Sequence, residues 1–286
     1  MFVKLLFHLL SAAKNSITLS MSTYAADITV MTRAAEKAAR SLNRDFGEVE
    51  RLQVSKKGPG DFVTAADKRA EKIIKEDLIY ARPDYSLLME EEGKIEGKNS
   101  DYRWIVDPLD GTRNFMHGLP HWSISIALEV KGEVVAGIVH DPVKDELFRA
   151  EKNEGAFMGR QRLRVSARTQ MDEALIAHGG TARLNVKKRD QFYQEYTAVQ
   201  AAQGSVRRFG SAALDLAYVA AGRFDGYWER NLSPWDVAAG ILILRESGGF
   251  VCDIDDDRAN PVDTAKFIAG NEAIYNELKT ILRGCA

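Results

Sequence analysis

Cysteine is nearly absent from this sequence of 286 residues: Cys252 and Cys285 are the only two. One pair cannot build a disulfide framework, which points to a reducing, cytoplasmic setting, and no Cys/His spacing of the zinc-binding kind occurs. Neither sign of charge is in excess. Lys plus Arg number 39 against 41 Asp plus Glu, a formal net charge of -2, so nothing calls for a direct nucleic-acid partner or an acidic membrane surface. No apolar run is long enough to span a bilayer. The opening stretch "MFVKLLFHLLSAAKNSITLS" carries the lysine, apolar run and small residues of a weak signal peptide. A second methionine, however, opens "MSTYAADITVMTRAAEKAARSL", which begins an amphipathic helix pattern unaided. Residues 1–20 therefore read as an N-terminal extension, either an upstream start or a disordered tail, with a targeting segment as the alternative. Internal repeats and low-complexity linkers are also lacking.

What is present is apolar material in regular patterns. At 45% hydrophobic, the chain can fill one broad core or two smaller ones. Met31, Ala34, Ala35, Ala38 and Leu42 recur at helical spacing and predict a helix over 25–46. "LQVSKKGPGDFVT" reads as a mobile loop or hairpin, and a second helix carrying Ala70, Ile73, Ile74 and Leu78 must stop before Pro83. The runs "RWIVD", "SISIALEV", "EVVAGIVHDP" and "ELFRAEKNEGAFM" are strand-like, with Lys131-Gly132 as a hairpin turn. Beyond residue 170 helices return in "SAALDLAYVAAG", "PWDVAAGILILRESGG" and "NEAIYNELKTILRG". Strands first, then helices alternating with strands, define a layered α/β chain of two intimately packed halves, 21–170 and 171–286.

The stretch richest in chemistry is "WIVDPLDGTRNF". It places Asp107 and Asp110 after an apolar strand, at the edge of the sheet. Pro108 stiffens the exit, and Gly111 permits a tight turn into a short helix beginning near Thr112. This geometry aims both carboxylates and the Leu109 carbonyl at one point, a hard oxygen set suited to Mg²⁺ or Mn²⁺. "SLLMEEEG" brings Glu90 to another strand end, and "SPWDVAAG" sets Asp236 at a helix start. Each acid also has a local explanation. Asp107 and Asp110 suit an Asx turn, Asp236 the helix dipole, and Thr64-x-x-Asp67 a capping box.

Four segments, "DFVTAADKRAE", "MEEEG", "WIVDPLDGTRNFMHGLPHWSISIAL" and "WERNLSPWDVAAGILILRESGG", resemble the signature segments of the inositol monophosphatase family. The likeness is greatest to its bacterial SuhB-type members and runs from about residue 22 to the end. It implies an αβαβα sugar-phosphatase fold, usually a homodimer, with Mg²⁺-dependent, lithium-sensitive phosphomonoesterase activity on a small phosphorylated polyol, here myo-inositol monophosphate. By that resemblance Glu90, Asp107 and the Leu109 carbonyl hold a first metal and Asp107, Asp110 and Asp236 a second. A third, weaker Mg²⁺ lies near Glu90. Thr112, with Asp67 behind it, orients the attacking water. The resemblance sets the polyol against Asp110, Gly210, Ser211, Ala212 and Glu229 and counts Asp236 among the substrate contacts, while Gly111 and Thr112, at the start of a short helix, offer free N–H groups to the phosphate. Lys56, Lys57, Gly58 and Gly60 match a flexible loop over the site.

The chemistry explains why such a site is needed. Phosphate monoesters require up to ~10²¹-fold acceleration, and two metals about 3.5–4 Å apart supply both charge neutralisation and a nucleophile. His117 and His121 then serve as turn or packing residues. Two departures stand out: Arg113 replaces a common second threonine, and "MEEEG" replaces Gly-Glu-Glu-Ser. Neither removes a ligand, but Arg113 leaves histidinol phosphate, fructose 1,6-bisphosphate and NADP as rival substrates. A rival of another class is a protein-binding role in the transcription machinery, which SuhB-type proteins suggest.

Overall fold

The computed structural model describes residues 23–48, 54–58, 61–180, 186–202 and 204–285. The stretch 1–20 and Gly60 lie outside them. Helix α1 (Ala25–Phe46) buries Met31, Ala34, Ala35, Ala38 and Leu42 completely, the stripe that its spacing predicts. The backbone of β1 (Val54–Gly58) and β2 (Asp61–Thr64) forms an antiparallel hairpin over the Lys-Gly-rich stretch. Helix α2 (Ala65–Ala81) packs on α1 through Ala70, Ile74 and Leu78 and ends two residues before Pro83.

The first sheet follows: β3 (Tyr85–Met89), β4 (Gly93–Ile95), β5 (Asn99–Asp110), the short helix α3 (Thr112–Met116), then β6 (Ser123–Val130), β7 (Glu133–Asp141), β8 (Glu146–Glu151), β9 (Gly155–Met158) and β10 (Gln161–Arg162). Its order is β10-β9-β8-β7-β6-β5-β3-β4. Lys131 and Gly132 join β6 to β7 with φ of 52° and 82°, both left-handed, as a two-residue hairpin requires. The second sheet is woven from β11 (Leu175–His178), α4 (Val186–Ala201), β12 (Ser205–Arg207), α5 (Ala212–Ala220), β13 (Gly226–Glu229), α6 (Pro234–Glu246), β14 (Phe250–Cys252), α7 (Pro261–Thr264), β15 (Phe267–Gly270) and α8 (Glu272–Arg283). Its order is β12-β11-β13-β15-β14.

Alternation along the strands assigns the layers. On β5, Trp104 and Val106 face α1 and α2, whereas Ile105 faces α5 and α6. On the second sheet Tyr227, Phe267 and Ala269 face the same two helices, while Trp228 and Ile268 meet Ile274, Leu278 and Leu282 of α8 and Val199 of α4. The five layers are therefore α1/α2, the eight-stranded sheet, α5/α6, the five-stranded sheet and α4/α8. This is the αβαβα arrangement that the resemblance implies. Helix α4 escapes a periodicity reading because Glu195, fully buried, stands where a hydrophobe is expected. It is held there by Arg230 at 2.9 Å.

The middle layer is packed to contact. A Cβ added to Gly137 of β7 would lie 3.0 Å from the Ala239 Cα of α6, leaving no room for a side chain between sheet and helix. Gly137→Val should therefore cost about 1–3 kcal/mol by overpacking. The check is urea unfolding: a lower midpoint with an unaltered slope is expected.

Candidate metal centre

Strand β5 lies inside the sheet, between β3 and β6. The two aspartates thus sit at the C-terminal end of an interior strand rather than at the sheet's edge, and the strand runs through them. Asp107 is opposite Ser125 and Asp110 opposite Ser123, with a register shift between. Pro108 falls in that irregularity, where a missing N–H costs no ladder bond. Leu109 N donates to Asp107 Oδ1 at 2.9 Å, which is the Asx turn, and Thr112 Oγ1 donates to the Leu109 carbonyl at 3.0 Å. Gly111 turns the chain at φ 90°. A Cβ there would stand 3.1–3.3 Å from His121 O, Trp122 Cβ and Ser211 Cβ, so glycine is required twice over.

Asp236 stands in the first turn of α6, where its Oδ2 accepts the Ser233 N–H at 2.6 Å. The helix-start reading of this acid therefore holds, and it does not compete with the other. Asp107, Asp110 and Asp236 each bring one oxygen within 4.8 Å of the others, a set that could hold a metal ion. Glu90, immediately after β3, brings its carboxyl against that of Asp107. Asp110 Oδ2 accepts Ser211 Oγ–H at 2.6 Å and Ala213 N–H at 2.8 Å. Asp67 is buried and near enough to Asp107 to add to its repulsion. The Thr64 side chain lies outside the described residues.

Burial and mutual repulsion make these acids reluctant to ionise. Burial first, then Asp236, raises Glu90 to about 8. Asp110 rises to about 7 through burial and Asp236, despite its two donors. Burial, followed by Glu90, Asp110 and Asp236, holds Asp107 well above the usual carboxylate range.

A second wall faces this cluster. Glu229 closes β13, receives the Tyr227 hydroxyl on Oε2, and is raised to about 7 by burial, with Asp215 and Asp110 adding repulsion. Gly210, at φ 91°, leads to Ser211, the N-cap of α5, which begins at Ala212. Asn114 Nδ2 donates to both Phe209 O and His121 O at 2.7 Å, tying α3 to that loop. His121 Nε2 contacts Asp215 Oδ1 at 2.9 Å and His117 caps α3, so both histidines act in packing and turning. Arg113 is half-buried on α3. Strand β2 runs beside α3, which brings the Lys56–Gly58 hairpin to this side of the molecule. Sequence reading missed the Tyr227 hydroxyl and the Ala213 N–H. The first was legible, because two residues along a strand share a face with Glu229. The second is a backbone group that no side-chain pattern reports.

A five-layer αβαβα fold with a cation-hungry carboxylate cluster at its strand ends defines a phosphatase class. Residues 21–283 match the inositol monophosphatase family, and the chain belongs to it. It is 53% identical to an inositol-1-monophosphatase of Mesorhizobium japonicum over 88% of this chain and 94% of that one. It is 41% identical to the Nus factor SuhB of Haemophilus influenzae over 90% and 96%. Among solved structures, the extragenic suppressor protein SuhB of Bartonella henselae superposes with a TM-score of 0.87 at 50% identity, covering 91% of this chain and 99% of that one.

The raised carboxyls set a pH dependence for the metal-free protein. Glu90 and Asp110 titrate near 4.5 and 3.8 when unfolded and near 8 and 7 when folded. The folded state therefore holds the extra protons, and stability declines as pH rises from about 4 towards 8. In EDTA the melting temperature should fall across that window. Asp236→Asn, relieving one charge, should melt above the wild type at pH 8, by roughly 2–4 °C per kcal/mol relieved. A variant midpoint at or below the wild type would exclude charge crowding as the source.

Proposed function

We propose that this chain is a cytoplasmic, Mg²⁺-dependent phosphomonoesterase that hydrolyses myo-inositol monophosphate to myo-inositol and phosphate. One observation carries the reading: Asp107, Asp110 and Asp236 each bring an oxygen within 4.8 Å of the others, with the Glu90 carboxyl beside Asp107. Uncompensated, that grouping is costly, and divalent cations relieve it. Glu90, Asp107 and the Leu109 carbonyl would hold one Mg²⁺ and Asp107, Asp110 and Asp236 a second. A third would be held more weakly near Glu90, and Mn²⁺ would be an acceptable substitute. Bound there, the ions supply positive charge against the phosphate dianion and lower the pKa of water.

The chain's own groups do the rest. The Thr112 hydroxyl spends its proton on the Leu109 carbonyl, so its lone pairs receive a proton of the attacking water and aim it. Asp67, behind it, completes that orientation. Gly111 and Thr112 offer N–H groups to phosphate oxygens where α3 begins. On the opposite wall Glu229, the segment Gly210–Ala212 and the Asp110 side hold the hydroxyls of the leaving polyol. Homodimerisation and inhibition by lithium follow from family membership as expectations of the same reading.

The relatives named Nus factor SuhB supply a second reading, in which the folded chain also binds a protein of the transcription machinery. Asp107→Asn separates the two. Losing a carboxylate shared by both metal positions should lower kcat by at least ~10³-fold and weaken Mg²⁺ binding in titration calorimetry. Protein binding that survives in this variant would assign the second role to the surface alone. For the substrate, purified enzyme with Mg²⁺ should prefer inositol 1-phosphate over histidinol phosphate, fructose 1,6-bisphosphate and NADP. A tenfold advantage in kcat/KM for any rival, about 1.4 kcal/mol of transition-state discrimination, would replace the assignment. Calcium as sole metal should bind yet support little turnover, because its longer, looser coordination does not hold an in-line geometry.

A further inference from the structure

Glu229 is held by more than its own strand. Tyr227 leaves the same face of β13, and its hydroxyl donates to Glu229 Oε2. Its ring is wholly buried and meets Phe267 edge-on, with centroids 4.9 Å apart, so the hydroxyl cannot swing out to solvent. The other carboxylate oxygen, Oε1, accepts the Gly180 N–H at 3.3 Å. Beneath the carboxylate passes Gly179. A Cβ on that residue would stand 2.2 Å from Glu229 Cγ and Cδ and 2.4 Å from Oε1. The Gly179 N–H is fixed in turn on the Trp228 carbonyl at 3.0 Å, so this floor cannot drop away. Burial and the adjacent Glu229 charge raise the Tyr227 phenol far above its usual range, which keeps it a donor.

An ionised carboxylate offers about four lone-pair positions, two on each oxygen. Among the described residues Tyr227 and Gly180 take one from each, and one remains on each. We infer that Tyr227 is a positioning residue for substrate selection: with Gly179 beneath, its hydroxyl locks Glu229 so that the two carboxylate oxygens present paired acceptors to two neighbouring hydroxyls of the alcohol being released. The inference rests on Glu229 receiving substrate hydroxyls, as in the function proposed above. A glutamate free to rotate would lose that freedom on binding, and pre-setting it removes the cost. The lock acts only on esters whose alcohol carries adjacent hydroxyls.

The test compares inositol 1-phosphate with para-nitrophenyl phosphate, which lacks hydroxyls, on Mg²⁺-loaded full-length enzyme. The readout is the ratio of their kcat/KM values. Glu229→Gln should lower this ratio, and an unmoved ratio would remove the assignment of Glu229 itself. Tyr227→Phe deletes one oxygen and keeps the ring packing. It should lower the ratio roughly tenfold, the worth of one hydrogen bond, through KM for the inositol ester rather than kcat. Gly179→Ala, which displaces Glu229 while leaving the Tyr227 hydroxyl in place, should reproduce that pattern, and Tyr227→Phe added to Glu229→Gln should lower the ratio no further. If Glu229→Gln lowers the ratio while Tyr227→Phe and Gly179→Ala leave it within twofold, the lock is overturned. An equal loss of both substrates in Tyr227→Phe, with a lowered melting temperature, would make its role purely structural and overturn it as well.

Discussion

Like charge gathered where water is scarce is the constraint around which this molecule is built. Glu90, Asp107, Asp110 and Asp236 meet at the ends of β3 and β5 and the start of α6, and burial, with repulsion added to it, raises the pKa of at least three of them. Left alone, such a group would splay apart or stay protonated. The chain prevents splaying by anchoring each aspartate through one oxygen to its own backbone or a neighbouring element: Asp107 to Leu109 N, Asp110 to Ser211 and Ala213, Asp236 to Ser233 N. The bulge at Pro108, the left-handed turn at Gly111 and the capped start of α6 are the scaffolding of that arrangement.

Structural and chemical explanations of these acids are therefore not rivals. An Asx turn and the helix-start position each occupy one carboxylate oxygen and so fix the direction of the side chain. A ligand must be held before it can be useful, and the cheapest holding device is an ordinary local motif. Asn114 extends the same logic outward by fastening α3 to the loop that delivers Ser211, and the Asp215–His121 pair ties α5 to the segment after α3.

Much of this was legible from the chain alone because it rests on local rules. Periodicity outlines α1 and α2, glycines mark where helices such as α6 end, and paired aspartates around Pro-x mark a converging oxygen set. What was not legible depends on distant partners. Strand order in the eight-stranded sheet joins segments by pairing, which no single stretch reveals. Helix α4 buries a glutamate that makes sense only beside Arg230. The aspartates read as lying at a sheet edge because the sequence shows a strand's end, not what flanks it; β6 and β3 close both sides. Ala213 contributes through its backbone, so its identity carries no signal.

The middle layer has a consequence for how the protein comes into being. Strand β5, with two of the acids, is made early. Helices α5 and α6, which cover its inner face, arrive more than a hundred residues later, and α6 brings the Asp236 carboxylate with it. On the ribosome, the first sheet must wait with Ile105, Ala127 and Val139 exposed until residues 212–246 emerge. The electrostatic strain is thus deferred as well. Asp107 and Asp110, already beside Glu90, meet the Asp236 carboxylate only when the middle layer closes, so burial of that layer drives together charges that would not gather unaided.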